Sequence, residues 1–485
     1  MTASNIGAGL PECAAVRTAA PPYLAPLVDR LEAYQKEAAL DGFLLGTGQK
    51  LVADRGIHAR YRDLNDGALL LRALERDDRV HARALLGPHF SAALLDASDR
   101  LRAVQRDVTA ELDDARLTHG QLLAAWRRAP SAAARERAAA ATDEVLRRLT
   151  GEQQRWLEEY GKVRRALGFE TQAALIRALH PDVDAWLAHA RRWLDGTRDD
   201  FVGRWRRWRE RDGLERARLL DSRLVANFIP LPNGATSAPE AIRATATTWG
   251  FRDAAERIPI DTDVRPGKSP TAFCSRIDPP RDVRVSFQES GVVTDHVTLL
   301  HEFGHALHFA VGPDRPFDLF GDYPAITEAF GLTFERAAAT TEWFERFVGV
   351  RLDEDSRERV AFDEEAVWRL IAASALYEFA VHEERVEPAR EYVAVFSREF
   401  DVAVSPLDAY TRLQSYLSSR PFYPLLYHQA FSMTDGMWRD LADASGERWF
   451  LSDAVRDRLV QRFRLSCEVD LPEWLATRVC RRESA

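Results

Sequence analysis

The sequence predicts a mostly helical protein with one small sheet placed directly before its most chemically loaded helix. Three observations predict it. Apolar residues recur at three- and four-residue spacing over long stretches rich in Ala, Leu, Arg and Glu, all good helix formers. One segment, Arg257 to Glu289, is instead rich in Pro and β-branched residues. The chain from about Val292 onward then returns to helical spacing.

Taken in order, residues 1–20 lack both a basic start and an unbroken apolar run, so they read as a flexible tail and not as a signal peptide. Helical periodicity is clearest over Gly67–Arg76, Leu94–Ala115, Ser131–Ala166 and Ala185–Arg211. Turn chemistry predicts breaks at Gly87-Pro88, at His180-Pro181 and from Pro230 to Gly234. Residues 21–235 are therefore read as an N-terminal helical region and 236–485 as the region that carries the chemistry, the two forming one cleft. Val283 to Phe287 alternates apolar and polar residues, as a half-buried strand does.

Composition narrows the function classes. The 485 residues are 46% hydrophobic and 29% charged, with a net charge of −9, an ordinary globular balance. An acidic chain is a poor partner for a polyanion, so no nucleic acid is expected. The run Arg204-Trp205-Arg206-Arg207-Trp208-Arg209 is read as a helix with its tryptophans inward and its arginines solvated. No stretch reaches about 18 uncharged apolar residues, so no membrane span is expected either. The 4 cysteines, Cys13, Cys274, Cys467 and Cys480, form no C-x-x-C pair and fit a reducing cytoplasm better than a disulfide framework.

The decisive string is Leu300-His301-Glu302-Phe303-Gly304-His305, an H-E-x-x-H motif. Residues four apart share a helix face, so His301 and His305 can grip one metal ion together. Glu302 stands about 100° round the helix, where it can reach a metal-bound water without becoming a ligand. The pattern should arise by chance in about 2 of 100 chains of this length, so its context matters. Thr294 or Asp295 can cap the helix start, Gly312-Pro313 ends it, and Val297, Leu299, Leu300 and Phe303 are apolar as a buried helix requires.

A catalytic zinc needs a third protein ligand from another element and one open position. Asp314, Asp318, Asp322, Glu328 and Glu335 are the downstream candidates. Glu328 opens the mostly apolar run Glu328 to Glu335, where a buried carboxylate is costly unless something positive holds it. The three aspartates lie in a Gly/Pro/Asp loop and are expected in solvent. Glu335, two turns beyond Glu328, is placed to orient a ligand histidine. One Zn2+ per chain is expected, on His301, His305 and Glu328, with Glu302 as the general base.

At this point the sequence resembles the thimet oligopeptidase and oligoendopeptidase F metallopeptidases, and the oligoendopeptidase F branch most. The resemblance is carried by PGKSPTAFC, TLLHEFGHALH and EAFGLTFE, with Leu376 to Glu384 and Pro421 to Tyr427 as further similar stretches. It implies a helical ellipsoid with a deep central channel and zinc at its floor. It also implies that Tyr423 and Tyr427 bind the substrate and the developing oxyanion, a task that suits a phenol with a pKa of about 10. Two departures bear on the substrate side. No histidine stands in Leu417-Ser418-Ser419-Arg420-Pro421-Phe422, where that family has one before its first tyrosine. Thr271 also stands where the family has glycine. The reading is thus a zinc peptidase acting on short peptides, with a small-molecule or modified-peptide amide as the alternative substrate.

Overall fold

A computed structural model describes residues 22–465 apart from 130, 215–216, 224, 226–228, 266, 313–322 and 420–421. The architecture is mostly helical, with a two-stranded and a three-stranded sheet. The N-terminal tail, Asp314, Asp318, Asp322, Cys13, Cys467 and Cys480 lie outside the described residues.

Sequence periodicity finds the two longest N-terminal helices closely. Ala132–Ala166 starts where the Ser131 hydroxyl accepts the Ala134 amide at 3.2 Å, an N-cap that satisfies one of the helix's orphan donors. Val183–Arg211 buries Trp205 and Trp208 while its arginines pair outward: Arg206 and Arg209 with Asp401, Arg211 with Asp355, Arg204 with Asp200 and Glu365. The paired arginines are thus met by acids from their own helix and from two other segments of the chain.

Two local readings need correction. Gly87-Pro88 does not break the chain: both lie inside helix Arg79–Ala93. A proline there costs about 3 kcal/mol in an isolated helix. Here Val80, Leu85, Leu86, Pro88 and Phe90 are all buried, and Gly87 has no Cβ to meet the proline ring, so packing overrides propensity. The helix read over Leu94–Ala115 stops at Asp107, and a hairpin follows, β1 (Thr109–Leu112) and β2 (Ala115–Thr118). Its two-residue turn is Asp113-Asp114, both left-handed at φ 47° and 66°. That geometry matches strand twist, and Asp tolerates it better than most residues, but Asp-Asp is a weaker hairpin signal than Asn-Gly.

The second sheet is made of β3 (Ile260–Asp261), β4 (Phe273–Asp278) and β5 (Asp282–Ser286), in the order β3-β5-β4. Val283 and Val285 are buried and Arg284 between them is half-buried, as predicted, but the alternation ends there because Ser286 is also fully buried. β4 and β5 pack against helix Val293–Val311, hereafter the motif helix. The largest apolar cluster joins β5, the motif helix, helix Tyr323–Ala338 (the acid helix), helix Tyr423–Ser445 (the tyrosine helix) and helix Arg456–Leu465. A second cluster lies among the N-terminal helices, and a third runs from Ala190 to Leu413, joining Val183–Arg211 to helices Glu354–His382 and Pro388–Phe400. Among the described residues no helix is long and apolar enough to cross a membrane.

Candidate metal centre

The motif helix begins one residue before the predicted caps. Asp295 sits inside its first turn and accepts the backbone amides of Ser290, Gly291 and Val292 at 2.7, 2.6 and 3.2 Å, together with the Ser290 hydroxyl. It is thus an anchor for the incoming chain, stabilised further by the positive end of the helix dipole. All residues of the motif helix except Thr294, Thr298, Glu302 and Val311 are buried, as a helix enclosed on every side must be.

The acid helix lies against it through two glycines. A Cβ at Gly304 would stand 2.7 Å from the Phe334 ring, and one at Gly331 would stand 2.9 Å from Cε1 and Nε2 of His301. Only hydrogen fits at either place, and this brings Glu328 onto the two histidines. Gly331→Ala is therefore expected to force the His301 ring aside, lowering metal affinity and costing about 1–3 kcal/mol from overpacking. Chemical denaturation alongside metal titration checks both.

His301, His305 and Glu328 converge as predicted. The two Nε2 atoms are 3.1 Å apart, and Glu328 Oε2 lies 3.3 and 3.4 Å from them. Two donors held about 2.0–2.1 Å from a tetrahedral zinc stand about 3.3–3.4 Å from each other, so the three atoms have the spacing of one coordination shell. Among the described residues this is the one such group of His, Cys, Asp and Glu. All three side chains are buried, and Glu328 Oε2 has no hydrogen-bond donor within proper geometry.

Electrostatics agree with the geometry. Burial pushes the Glu328 carboxyl up, but the two imidazoles outweigh it and hold the group well below the usual carboxylate range. Burial likewise pushes the His301 imidazolium down, and the carboxylates of Glu328 and Glu335 outweigh that and raise it well above its ordinary value. Both shifts say that the donor cluster stabilises positive charge placed among it. The residues fit a divalent cation of the kind that His₂Glu sets hold.

The remaining residues surround this cluster. Glu335 Oε2 lies 2.9 Å from His301 Nδ1, the orienting contact its spacing predicts. Glu302 is half-buried beside the cluster, its carboxylate accepting the Cys274 amide of β4. Burial pushes its carboxyl up from the ordinary range. Both tyrosines reach the cluster from the tyrosine helix. The Tyr423 hydroxyl donates to Glu328 Oε1, and the Tyr427 hydroxyl lies 3.4 Å from His301 Nε2. Burial, reinforced by the nearby carboxylates, raises the Tyr427 phenol well above 10, so it stays a neutral donor. His428 faces away, fully buried between His189 at 2.9 Å and the Trp368 indole at 3.0 Å, as a 100° step from Tyr427 requires.

Sequence reasoning missed Thr327, the residue before Glu328. Its hydroxyl lies 2.9 Å from His305 Nδ1 and 3.2 Å from His308 Nδ1. Its signal in sequence is weak, since Thr327 is one of two threonines in the acid helix.

No family model matches the chain, and no curated protein sequence matches it. Solved structures do. The chain is similar to PZ peptidase A with an inhibitor at TM-score 0.64 and 15% identity, over 92% of this chain and 82% of that one. It is similar to a protein assigned as an oligoendopeptidase F at TM-score 0.61 and 18% identity, over 93% and 83% of the two chains. A third, assigned as an oligoendopeptidase F from Bacillus anthracis str. Ames, gives TM-score 0.59 and 16% identity over 92% and 80%. Matches that span nearly the whole chain at such low identity establish architecture: this chain has the fold of the PZ peptidase and oligoendopeptidase F structures.

Proposed function

We propose that the chain is a zinc metallopeptidase that hydrolyses amide bonds in short peptides. The observation that carries this reading is the meeting of His301, His305 and Glu328 at coordination spacing, with Glu302 beside them and two phenols opposite. Zinc held there would supply Lewis acidity, polarising a carbonyl oxygen and lowering the pKa of a bound water toward about 7. Glu302 takes the proton of the attacking water as its oxygen bonds to the amide carbon, and returns it to the nitrogen as the C–N bond breaks. Tyr427 donates its hydroxyl hydrogen to the oxyanion that develops on the former carbonyl. Tyr423, whose hydroxyl is engaged by Glu328, holds that ligand carboxylate in place.

A peptide substrate is favoured by β4. It is the edge strand of its sheet, it pairs with β5 on one side, and its Cys274 amide already reaches Glu302. An extended peptide can add to such an edge through backbone hydrogen bonds alone, which holds a scissile bond near the base without demanding a particular side chain.

The test is a quenched peptide library, assayed with and without chelator. Cleavage that chelation abolishes and zinc restores is expected. No cleavage of any peptide by zinc-loaded protein would instead favour a small-molecule or modified-peptide amide. With a cleaved peptide in hand, Tyr427→Phe is expected to lower kcat by about 10²–10³ with KM nearly unchanged, since its bond tightens only in the transition state. Tyr423→Phe is expected to act through Glu328, weakening metal binding more than turnover of the loaded protein.

A further inference from the structure

Besides His301 and His305, the H-E-x-x-H helix carries His296 and His308, and the proposed mechanism leaves His308 unused. It is fully buried, packed among Phe309, Phe330 and Phe463. Its Nδ1 faces the Thr327 hydroxyl at 3.2 Å, and its ring also hydrogen-bonds the Phe463 backbone carbonyl. With Nδ1 turned to Thr327, the nitrogen left for that carbonyl is Nε2. Phe463 lies in helix Arg456–Leu465.

Donor and acceptor roles along this chain of atoms follow one from another. A carbonyl can only accept, so His308 Nε2 carries a hydrogen. Burial pushes the His308 imidazolium down to about 3, so the ring is neutral and has one N–H only. Its Nδ1 is then a lone pair, which must take the single hydrogen of the Thr327 hydroxyl. The same hydroxyl, its hydrogen spent, can only accept from His305 Nδ1 at 2.9 Å. His305 Nδ1 therefore carries the hydrogen, and the lone pair of its Nε2 is aimed at Glu328 Oε2 and His301 Nε2.

We propose that His308 and Thr327 form a relay that fixes the tautomer of His305, so that Nε2 is always the nitrogen presented for metal binding. The relay starts from a backbone carbonyl in the helix Arg456–Leu465, so it ties the ligand state of the centre to the docking of that helix. Both are positioning residues, since neither touches the coordination position. The inference rests on the metal-site reading above. Without the relay, a neutral His305 could carry its hydrogen on Nε2 and would have to change tautomer before it could bind.

The test is zinc affinity, measured by chelator competition on the full chain, together with ¹⁵N-histidine NMR of the unaltered protein. Thr327→Val removes the hydroxyl at constant volume and is expected to weaken zinc about 10–100-fold. Thr327→Ser, which keeps the hydroxyl, should bind nearly as the parent does. His308→Leu should also lose about tenfold, because the freed hydroxyl can now donate to His305 Nδ1. His308→Gln should recover most of this loss, its amide supplying one donor and one acceptor in the same line. The Thr327→Val/His308→Leu double variant should be no weaker than Thr327→Val alone, as two links of one chain require. Parental affinity in both Thr327→Val and His308→Leu, or a His308 ring found as the Nδ1–H tautomer, overturns the relay. Parental affinity in His305→Ala overturns the metal-site reading itself, a result the relay variants do not mimic.

Discussion

Glu302→Gln is expected to leave the metal content near one per chain and to lower turnover by about 3–5 orders of magnitude. Glu302 follows the proposed ligand His301 directly but is turned about 100° from it, beside the cluster and outside it. Glutamine keeps the length of the side chain, and its amide oxygen can still accept the Cys274 amide that the carboxylate accepts now. What it cannot do is take a proton from water and hand it on. Structure and metal are thus held constant while one chemical capacity is removed. Elemental analysis and a single-turnover assay on the same preparation read the two quantities separately. A metal-loaded glutamine variant with parental turnover would sink the assignment of Glu302 as base.

The second large effect belongs to the ligands. His305→Ala, or His301→Ala, is expected to reduce bound zinc from about one per chain to background, because two donors from this protein do not complete a His₂Glu set. Glu328→Gln should do nearly the same while disturbing packing less. It removes the negative charge that both imidazoles hold well below its usual range, and leaves a neutral amide 3.3 and 3.4 Å from them. Mass spectrometry under native conditions, with the parent protein alongside, measures the loss directly. Full metal occupancy in both histidine variants would place the ion elsewhere.

These residues were legible in sequence for reasons that differ. His301, Glu302 and His305 could be read because helix geometry turns a spacing of one and four into relative direction. Glu328 and Glu335 were readable as acids in an apolar run, since a carboxylate buried there needs a partner, and His301 lies within reach of both. Tyr423 and Tyr427 had no such signal of their own, and without the resemblance two tyrosines four apart read equally well as packing. Thr327 stayed hidden because a buried threonine can satisfy its hydroxyl on the preceding turn, as Thr333 does on the Ala329 carbonyl at 2.7 Å. The hairpin at Thr109–Thr118 was lost because Asp113-Asp114 sits in a charged stretch that helices also use, and only tertiary context selects its left-handed turn.

The two facing glycines have a consequence for folding as well as for chemistry. Gly304 and Gly331 let two helices meet so closely that donors from both share one small volume, and that volume exists only in the docked pair. In the unfolded chain the histidines and Glu328 are separated by more than 20 residues of sequence on the order of a flexible loop, with no common sphere to offer. A cation held there therefore binds the native state and not the unfolded one. By mass action it raises the free energy of unfolding by about 2.7 kcal/mol at a hundredfold excess over its dissociation constant. On the proposed metal-site reading, the melting temperature of this protein rises with the concentration of free cation, so a thermal scan reports occupancy of the helix pair.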